Sequence, residues 1–407
     1  MSLLVYDLGI QFNTYQRIII YLQIQIFTFV IFKGGVLMRT VTRTLTAMSA
    51  VALMAGFTSP SLAESPAEFY KGKSVTLLVG GSPGGGYATY AGLLARHIGR
   101  HIPGNPKIIA KSRPGAGSLK ALKLLYNRSP KDGTVFGAIY KGTLIEPLVG
   151  TRGVQYETLK LNFVGSVNTE PKTCFSWHNT GITKFEQLQK KQMITGGSGS
   201  TSSIFQYSTM VRNLLGAKLK VIGGYKGSTG ALLALERQEI TGMCGLGWSS
   251  LKTQRPQWIK EKKINMLAQI GIKPDPNLAK MGVPVIWDFI KDKDTIKAVQ
   301  LIAYPPDRPY VLPPGVPADR VKAMQKAFMD TMNDPKFLAE AKKSRISINP
   351  TSGPEMREIL EGLYKSSPKV IDLAKAALSR KGTIKCKKFT DKKFCRSKKK
   401  KKKKKSS

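Results

Sequence analysis

Three glycine-rich turns carry the residue types best suited to chemistry. They are Gly80-Gly81-Ser82-Pro83-Gly84-Gly85-Gly86, Gly196-Gly197-Ser198-Gly199-Ser200-Thr201-Ser202 and Gly223-Gly224-Tyr225-Lys226-Gly227-Ser228-Thr229. Each follows a short apolar run and precedes a stretch with helical spacing. Glycine lets a backbone approach a ligand without a Cβ in the way. The first N–H groups of a helix have no partner within the helix and carry the positive end of its dipole. Carboxylates and phosphates therefore sit well at such turns. One such turn could exist for tight geometry alone. Three in one chain, two of them lined with Ser and Thr, point to an anion site.

Other chemistries fit poorly. Gly84-x-Gly86 runs into Ala88 and Thr89, and Gly197-x-Gly199 ends on Ser202, so both fail the dinucleotide spacing at its last glycine. No Lys-Ser/Thr pair follows any of the turns as a nucleotide-phosphate loop requires. The three histidines are His97, His101 and His178. His97 and His101 stand four apart without the Glu of a zinc-protease helix, and are expected on its outer side beside Arg96 and Arg100. His178 beside Trp177 could line a cleft, although a packed or half-exposed position accounts for it equally. There is no nucleophile elbow and no paired set of carboxylates. Neither catalytic residues nor a metal site nor a cofactor is expected.

The elements that must position the turns follow from periodicity. Ser74–Val79 reads as a strand, Tyr87–His101 as a helix with Tyr90, Leu93, Leu94 and Ile98 on one stripe. Lys107–Lys111 and Val135–Ile139 read as strands, with a helix over Ser118–Asn127 between them. A second run begins near Thr173. Its strands are Met193–Thr195, Lys218–Ile222, Gly242–Cys244 and Ile264–Ile270. Its helices are Phe185–Lys190, Ile204–Leu215 and Thr229–Arg237. Such alternation predicts an α/β protein with parallel βαβ units, and two runs predict two lobes. Ala303–Pro317 holds six prolines and reads as an extended crossover, not a sheet interior. The helices after it, including one capped by Ser352 and Glu355, are expected to return to the first lobe.

The 407 residues carry 65 Lys and Arg against 25 Asp and Glu, a formal net charge of +40, with 42% hydrophobic residues. That hydrophobic share suits a packed globular protein. Part of the charge is the run Lys398–Lys405, but the body before it is basic too. A basic body suits nucleic acid, an anionic membrane surface or an anionic solute, and charge alone does not choose among them. A compartment is indicated near the N-terminus. Arg39 and Arg43, an apolar centre within Thr44–Phe57, and Ser61-Leu62-Ala63 before Glu64 have the order and size of a secretory signal over 38–63. Residues 1–37 are then an upstream extension. Their apolar run Ile18–Phe32 is shorter than the ~20 residues that span a bilayer. In an exported protein Cys174 and Cys244 could form a disulfide. Cys386 and Cys395 lie in the Lys-rich tail, 380–407, which is expected to be disordered.

With these pieces in order the chain resembles the substrate receptors of tripartite tricarboxylate transporters, the Bug-type extracytoplasmic solute-binding family. The matching segments are Pro83-Gly84-Gly85-Gly86 ahead of Leu93-Leu94-Ala95-Arg96-His97, Arg113-Pro114-Gly115-Ala116-Gly117, and Lys131-Asp132-Gly133-Thr134. They continue with Gly197-Ser198-Gly199-Ser200-Thr201, Gly224-Tyr225-Lys226-Gly227-Ser228 running into Ala234-Leu235-Glu236, and Pro313-Pro314-Gly315-Val316-Pro317. The likeness runs from Phe69 to near Leu378.

The resemblance implies a two-lobed periplasmic-binding-protein-like fold of type II with the ligand cleft between the lobes. The first lobe would comprise 64–170 and 301–379, the second 171–300. It implies a monomeric periplasmic receptor that binds a di- or tricarboxylate, or a related organic acid, and delivers it to membrane subunits, without enzymatic activity or nucleic acid. Carried onto matching positions, the ligand would meet Ser82, Gly84, Gly85, Gly86 and Tyr87, then Ser198, Gly199, Ser200, Thr201 and Ser202, then Tyr225 and Gly227. Two departures stand out. Ala88 replaces the Asp common after the first turn, which favours a plain carboxylate over an amino acid. Gly92 weakens the first helix by up to ~1 kcal/mol relative to Ala. The alternatives are an enzyme acting on a small anion in the same cleft and a basic protein that binds surfaces through its Lys-rich tail.

Overall fold

Short apolar runs followed by glycine, such as Ser74–Val79 and Ile264–Ile270, fold as strands. The computed structural model describes residues 64–149, 154–271, 273–385 and 389–390. The expected signal segment and upstream extension, most of the Lys-rich tail, and Cys386 and Cys395 lie outside the described residues. In chain order the strands are β1 (Ser74–Val79), β2 (Lys107–Ser112), β3 (Val135–Ala138), β4 (Asn162–Ser166), β5 (Lys172–Trp177) and β6 (Met193–Gly197). Then come β7 (Leu219–Gly223), β8 (Gly242–Gly247), β9 (Ile264–Ile270), β10 (Pro309–Leu312), β11 (Thr351–Ser352) and β12 (Ile384–Lys385). The principal helices are α1 (Gly86–His97), α2 (Leu119–Arg128), α3 (Ser203–Leu214), α4 (Gly227–Glu236) and α5 (Trp248–Gln254). They are followed by α6 (Lys293–Ala303), α7 (Ala318–Met332), α8 (Gly353–Tyr364) and α9 (Pro368–Ala377).

The strands form two mixed sheets, β11-β4-β10-β3-β1-β2 and β12-β7-β6-β8-β5-β9. In the first, β1 pairs in parallel with β2 and β3, while β10 runs antiparallel to β3 and β4. In the second, β6 is parallel to β7 and β8, and β5 is antiparallel to β8 and β9. Side chains alternate across a strand. Val75, Leu77 and Val79 enter one core of the first lobe, and Leu78 enters the other. Likewise Cys174 enters one core of the second lobe, and Phe175 and Trp177 the opposite one. Each lobe is thus a sheet covered on both faces. Cys174 and Cys244 lie opposite each other on β5 and β8 and are joined by a disulfide.

Three expectations are corrected. The proline-rich segment is not wholly a crossover, because β10 lies inside the first sheet between β3 and β4. Its prolines permit this: Pro309 is the first residue of the strand, where a missing N–H costs least, and only Tyr310 and Val311 register with β3. The C-terminal helices do not all return to the first lobe. α7 and α8 do, through Met324, Ala327 and Phe328 and through Met356 and Leu360. α9 instead places Val370, Ala374 and Ala377 in a core of the second lobe with Val211, Val299 and Ile302. Two alanines on its stripe let it lie close against α3 and α6. The tail also begins with order, since Ile384 and Lys385 pair with Ile222 and Gly223.

The chain crosses between the lobes from β4 to β5, from α6 to β10 and again from α8 to α9. The first two crossovers carry Glu170, Asp307 and Arg308, and Lys172 opens β5.

Candidate ligand-binding site

Residues from both lobes and from the α6–β10 crossover line a cavity of about 60 Å³. The first lobe contributes Gly81, Ser82, Gly85, Gly86 and Tyr87. The second contributes Lys172, Ser198, Ser202, Ser203, Gly227, Ser228 and Ser250, and the α6–β10 crossover adds Asp307 and Arg308. Gly86, Ser203 and Gly227 are the first residues of α1, α3 and α4. The caps before them, Gly85, Ser202 and Lys226, make no side-chain bond to the helix N–H groups. The Gly227 N–H bonds the Tyr225 carbonyl at 3.0 Å, yet the three helix starts together bring first-turn donors and partial positive charge to one small space.

Glycine sets how close the lobes come. Gly227 holds φ at 72°, a left-handed conformation, and a Cβ built on it would meet the Cβ of Ser82 at 3.0 Å. A Cβ on Gly86 would stand 2.5 Å from Ser250 Oγ. Elsewhere on the interface Thr201 Oγ1 donates to the Gly117 carbonyl, tying the second turn to the Arg113–Gly117 loop of the first lobe.

Behind the cavity lies a buried charge cluster. Asp307 accepts from Lys172 Nζ and faces Lys141 Nζ at 3.4 Å, while Arg308 Nη2 meets Glu170 Oε1 at 2.8 Å. Burial works to raise the Asp307 carboxyl, but Lys141, Lys172 and Arg308 outweigh it and hold the group below its ordinary value. For Glu170 burial also raises, and Arg308 and Lys172 prevail in the same downward sense. Burial pushes the Lys141 ammonium down, with Asp307 opposing. Both carboxylates are therefore ionised, as is Arg308. The Arg308 guanidinium stacks over the Tyr90 ring at 4.0 Å, and its Nη2 also donates to Ser250 Oγ at 3.0 Å. Its Nε and Nη1, and the hydroxyl of Ser198, are buried without a hydrogen-bond partner among the described residues.

Of the residues marked in the sequence, Ser82, Gly85, Gly86, Tyr87, Ser198, Ser202 and Gly227 meet at the cavity. The others stand back from it. Gly84 faces Thr229 of the second lobe, and Gly199 lies against the Gly117 backbone. Thr201 is spent on the Gly117 carbonyl, and Ser200 is half-buried beside it. Tyr225 points into the second core, fully buried, with its hydroxyl 3.5 Å from Glu239. Ala88 packs toward the core of the first lobe.

His97 is not on an outer face: it is buried, 2.6 Å from Glu340, with Phe337 against its ring. His101 bonds Asp334 at 2.8 Å, and His178 is exposed. Sequence reasoning missed Lys172, Asp307, Arg308, Ser228 and Ser250. One signal was present: Asp307-Arg308 is a charged pair set among prolines in an otherwise apolar stretch.

No family model matches the chain, and no curated protein matches it in sequence. Solved structures do match. The periplasmic binding protein BugD is 20% identical, covering 78% of this chain and all of its own, with a TM-score of 0.61. The fold is that of the Bug-type periplasmic binding proteins. An R. palustris protein of the same fold, solved with adipate, is 17% identical over 74% of this chain and 97% of its own, at a TM-score of 0.60. MatC from Rhodopseudomonas palustris, solved with bound malate, is 13% identical over 75% and 99%, at 0.58. In such a two-lobed fold a cavity between lobes is a natural ligand position. Here it is the cavity at which α1, α3 and α4 begin.

Proposed function

We propose that this chain is an extracytoplasmic solute receptor that encloses one small carboxylate between its lobes and delivers it, unchanged, to the membrane subunits of a tripartite transporter. The observation that carries the reading is the meeting of three uncapped helix starts, α1, α3 and α4, at one cavity. Their N–H groups, with the hydroxyls of Ser82, Ser198 and Ser202, supply donors to a carboxylate without an opposing acid of their own. The likeness to folds solved with adipate and malate supports an organic acid, and the modest cavity favours a short one. Binding needs no general base or nucleophile. The signal-like segment over 38–63 supports a periplasmic location.

Calorimetry tests this on protein unfolded, freed of co-purified ligand and refolded. Titration with succinate, malate, adipate and citrate should give a saturable one-site heat for at least one acid. If none binds while the protein is folded, the receptor reading fails.

A further inference from the structure

We propose that Arg308 is the residue that neutralises the ligand's carboxylate, a fixed cationic anchor built into the crossover between the lobes. The inference rests on the receptor reading and assigns the charge that the glycine turns lack. Helix starts offer partial charge only, and none of the turn residues at the cavity is ionic.

The guanidinium is placed and held for that task. Arg308 lines the cavity, yet the residue is only 4% exposed. Tyr90 supports one face of it, and its backbone is held at φ 51°, a left-handed conformation that costs an L-residue about 1–2 kcal/mol. Strain of that kind persists where surrounding structure imposes a position. Only Nη2 is engaged, by Glu170, Ser249 and Ser250. Nε and Nη1 have no acceptor among the described residues. Buried donors left unmet are costly, more so on a charged group.

The cations Lys172 and Arg308 are paired with Asp307 and Glu170, and of the two only the arginine keeps donors without an acceptor among the described residues. Nε and Nη1 lie on different edges of the guanidinium, so each offers one charge-assisted hydrogen bond, which an ionised carboxylate accepts more strongly than an alcohol or amide does. The ligand class is thus narrowed to solutes with an ionised acid at the end that meets the crossover.

The test compares R308Q, R308K and E170Q with the wild-type protein by calorimetry, using whichever of succinate, malate and adipate binds best. Melting curves and circular dichroism run in parallel. R308Q should lose at least ~10-fold in affinity, the loss expected for a hydrogen bond to a charged group, with R308K between it and wild type. E170Q breaks the same Arg308–Glu170 tie from the other side but leaves the guanidinium, so it should bind at least as tightly as wild type. If E170Q weakens binding as much as R308Q, the tie matters only structurally and the anchor is rejected. Unchanged affinity in a folded R308Q or R308K also rejects it, while the receptor reading stands. If wild type binds none of the acids, both readings fall together.

Discussion

Gly227 and Ser82 belong to different lobes, yet a side chain on Gly227 would put its Cβ 3.0 Å from the Cβ of Ser82. Contact that close makes the third glycine turn part of the wall opposite the first. The left-handed φ of 72° at the same residue removes the option of replacing it cheaply.

Gly227→Ala should therefore act twice. An L-residue in that conformation costs about 1–2 kcal/mol, and the new methyl must push the turns apart. The expected result is a lower melting temperature together with weaker carboxylate binding. Wild-type affinity in the variant would show that the turns need not meet.

Ser198→Ala separates binding from stability. The Ser198 hydroxyl has no partner among the described residues, so its removal costs the fold no hydrogen bond. Melting without ligand should be unchanged or slightly higher. Affinity should fall ~5-fold, equivalent to about 1 kcal/mol for one hydrogen bond. Calorimetry and a thermal scan on the same preparation measure both.

Asp307→Asn should be among the most damaging single changes in the protein. It leaves Lys141 and Lys172 buried without their counter-charge, and breaking a buried pair in this way costs about 3–5 kcal/mol. Chemical denaturation would measure it.

Acid should produce a related loss. Asp307 and Glu170 are held below their ordinary values in the folded protein. Their stabilisation is full above an unfolded carboxylate pKa of about 4 and disappears as pH falls through the lower folded values. Melting temperature should thus drop steeply below about pH 4. An E170Q variant, which cannot lose that charge, should show a shallower acid limb than wild type.

The Cys174–Cys244 disulfide closes a loop of 70 residues across β5 and β8. Both residues are fully buried. Replacing both with alanine should cost about 2–5 kcal/mol, read as an earlier urea midpoint. Wild type denatured with reductant present should show the same displacement, and the variant should be insensitive to it.

Much of the local structure was legible. Ser74–Val79 and Ile264–Ile270 occur with the bounds their apolar runs predicted, and Ser352 with Glu355 makes the expected capping box. Boundaries slid by a few residues where glycine follows the strand, as at β6 and β8, because glycine supplies no apolar side chain to mark continued pairing. Short strands were harder. β10 was obscured by its flanking prolines, and its pairing partners, Ala138 on one side and Gly165 on the other, are far from it in sequence. Tyr225 illustrates the limit within a turn: its neighbours suit a ligand site, but its ring is held in the core beneath Gly196.

By itself the sequence determined the local vocabulary: strand runs, helix stripes, caps, and glycine turns able to expose helix starts. Those features arise from backbone sterics and side-chain periodicity within a few residues. Only the tertiary structure decided that α1, α3 and α4 start at one cavity, that α9 completes the second core, and that Arg308 stands behind the turns. A guanidinium acquires that significance from burial and from Glu170, Tyr90 and Ser250, partners that only the folded chain brings to it, because electrostatic strength depends on excluded water and on distances through space.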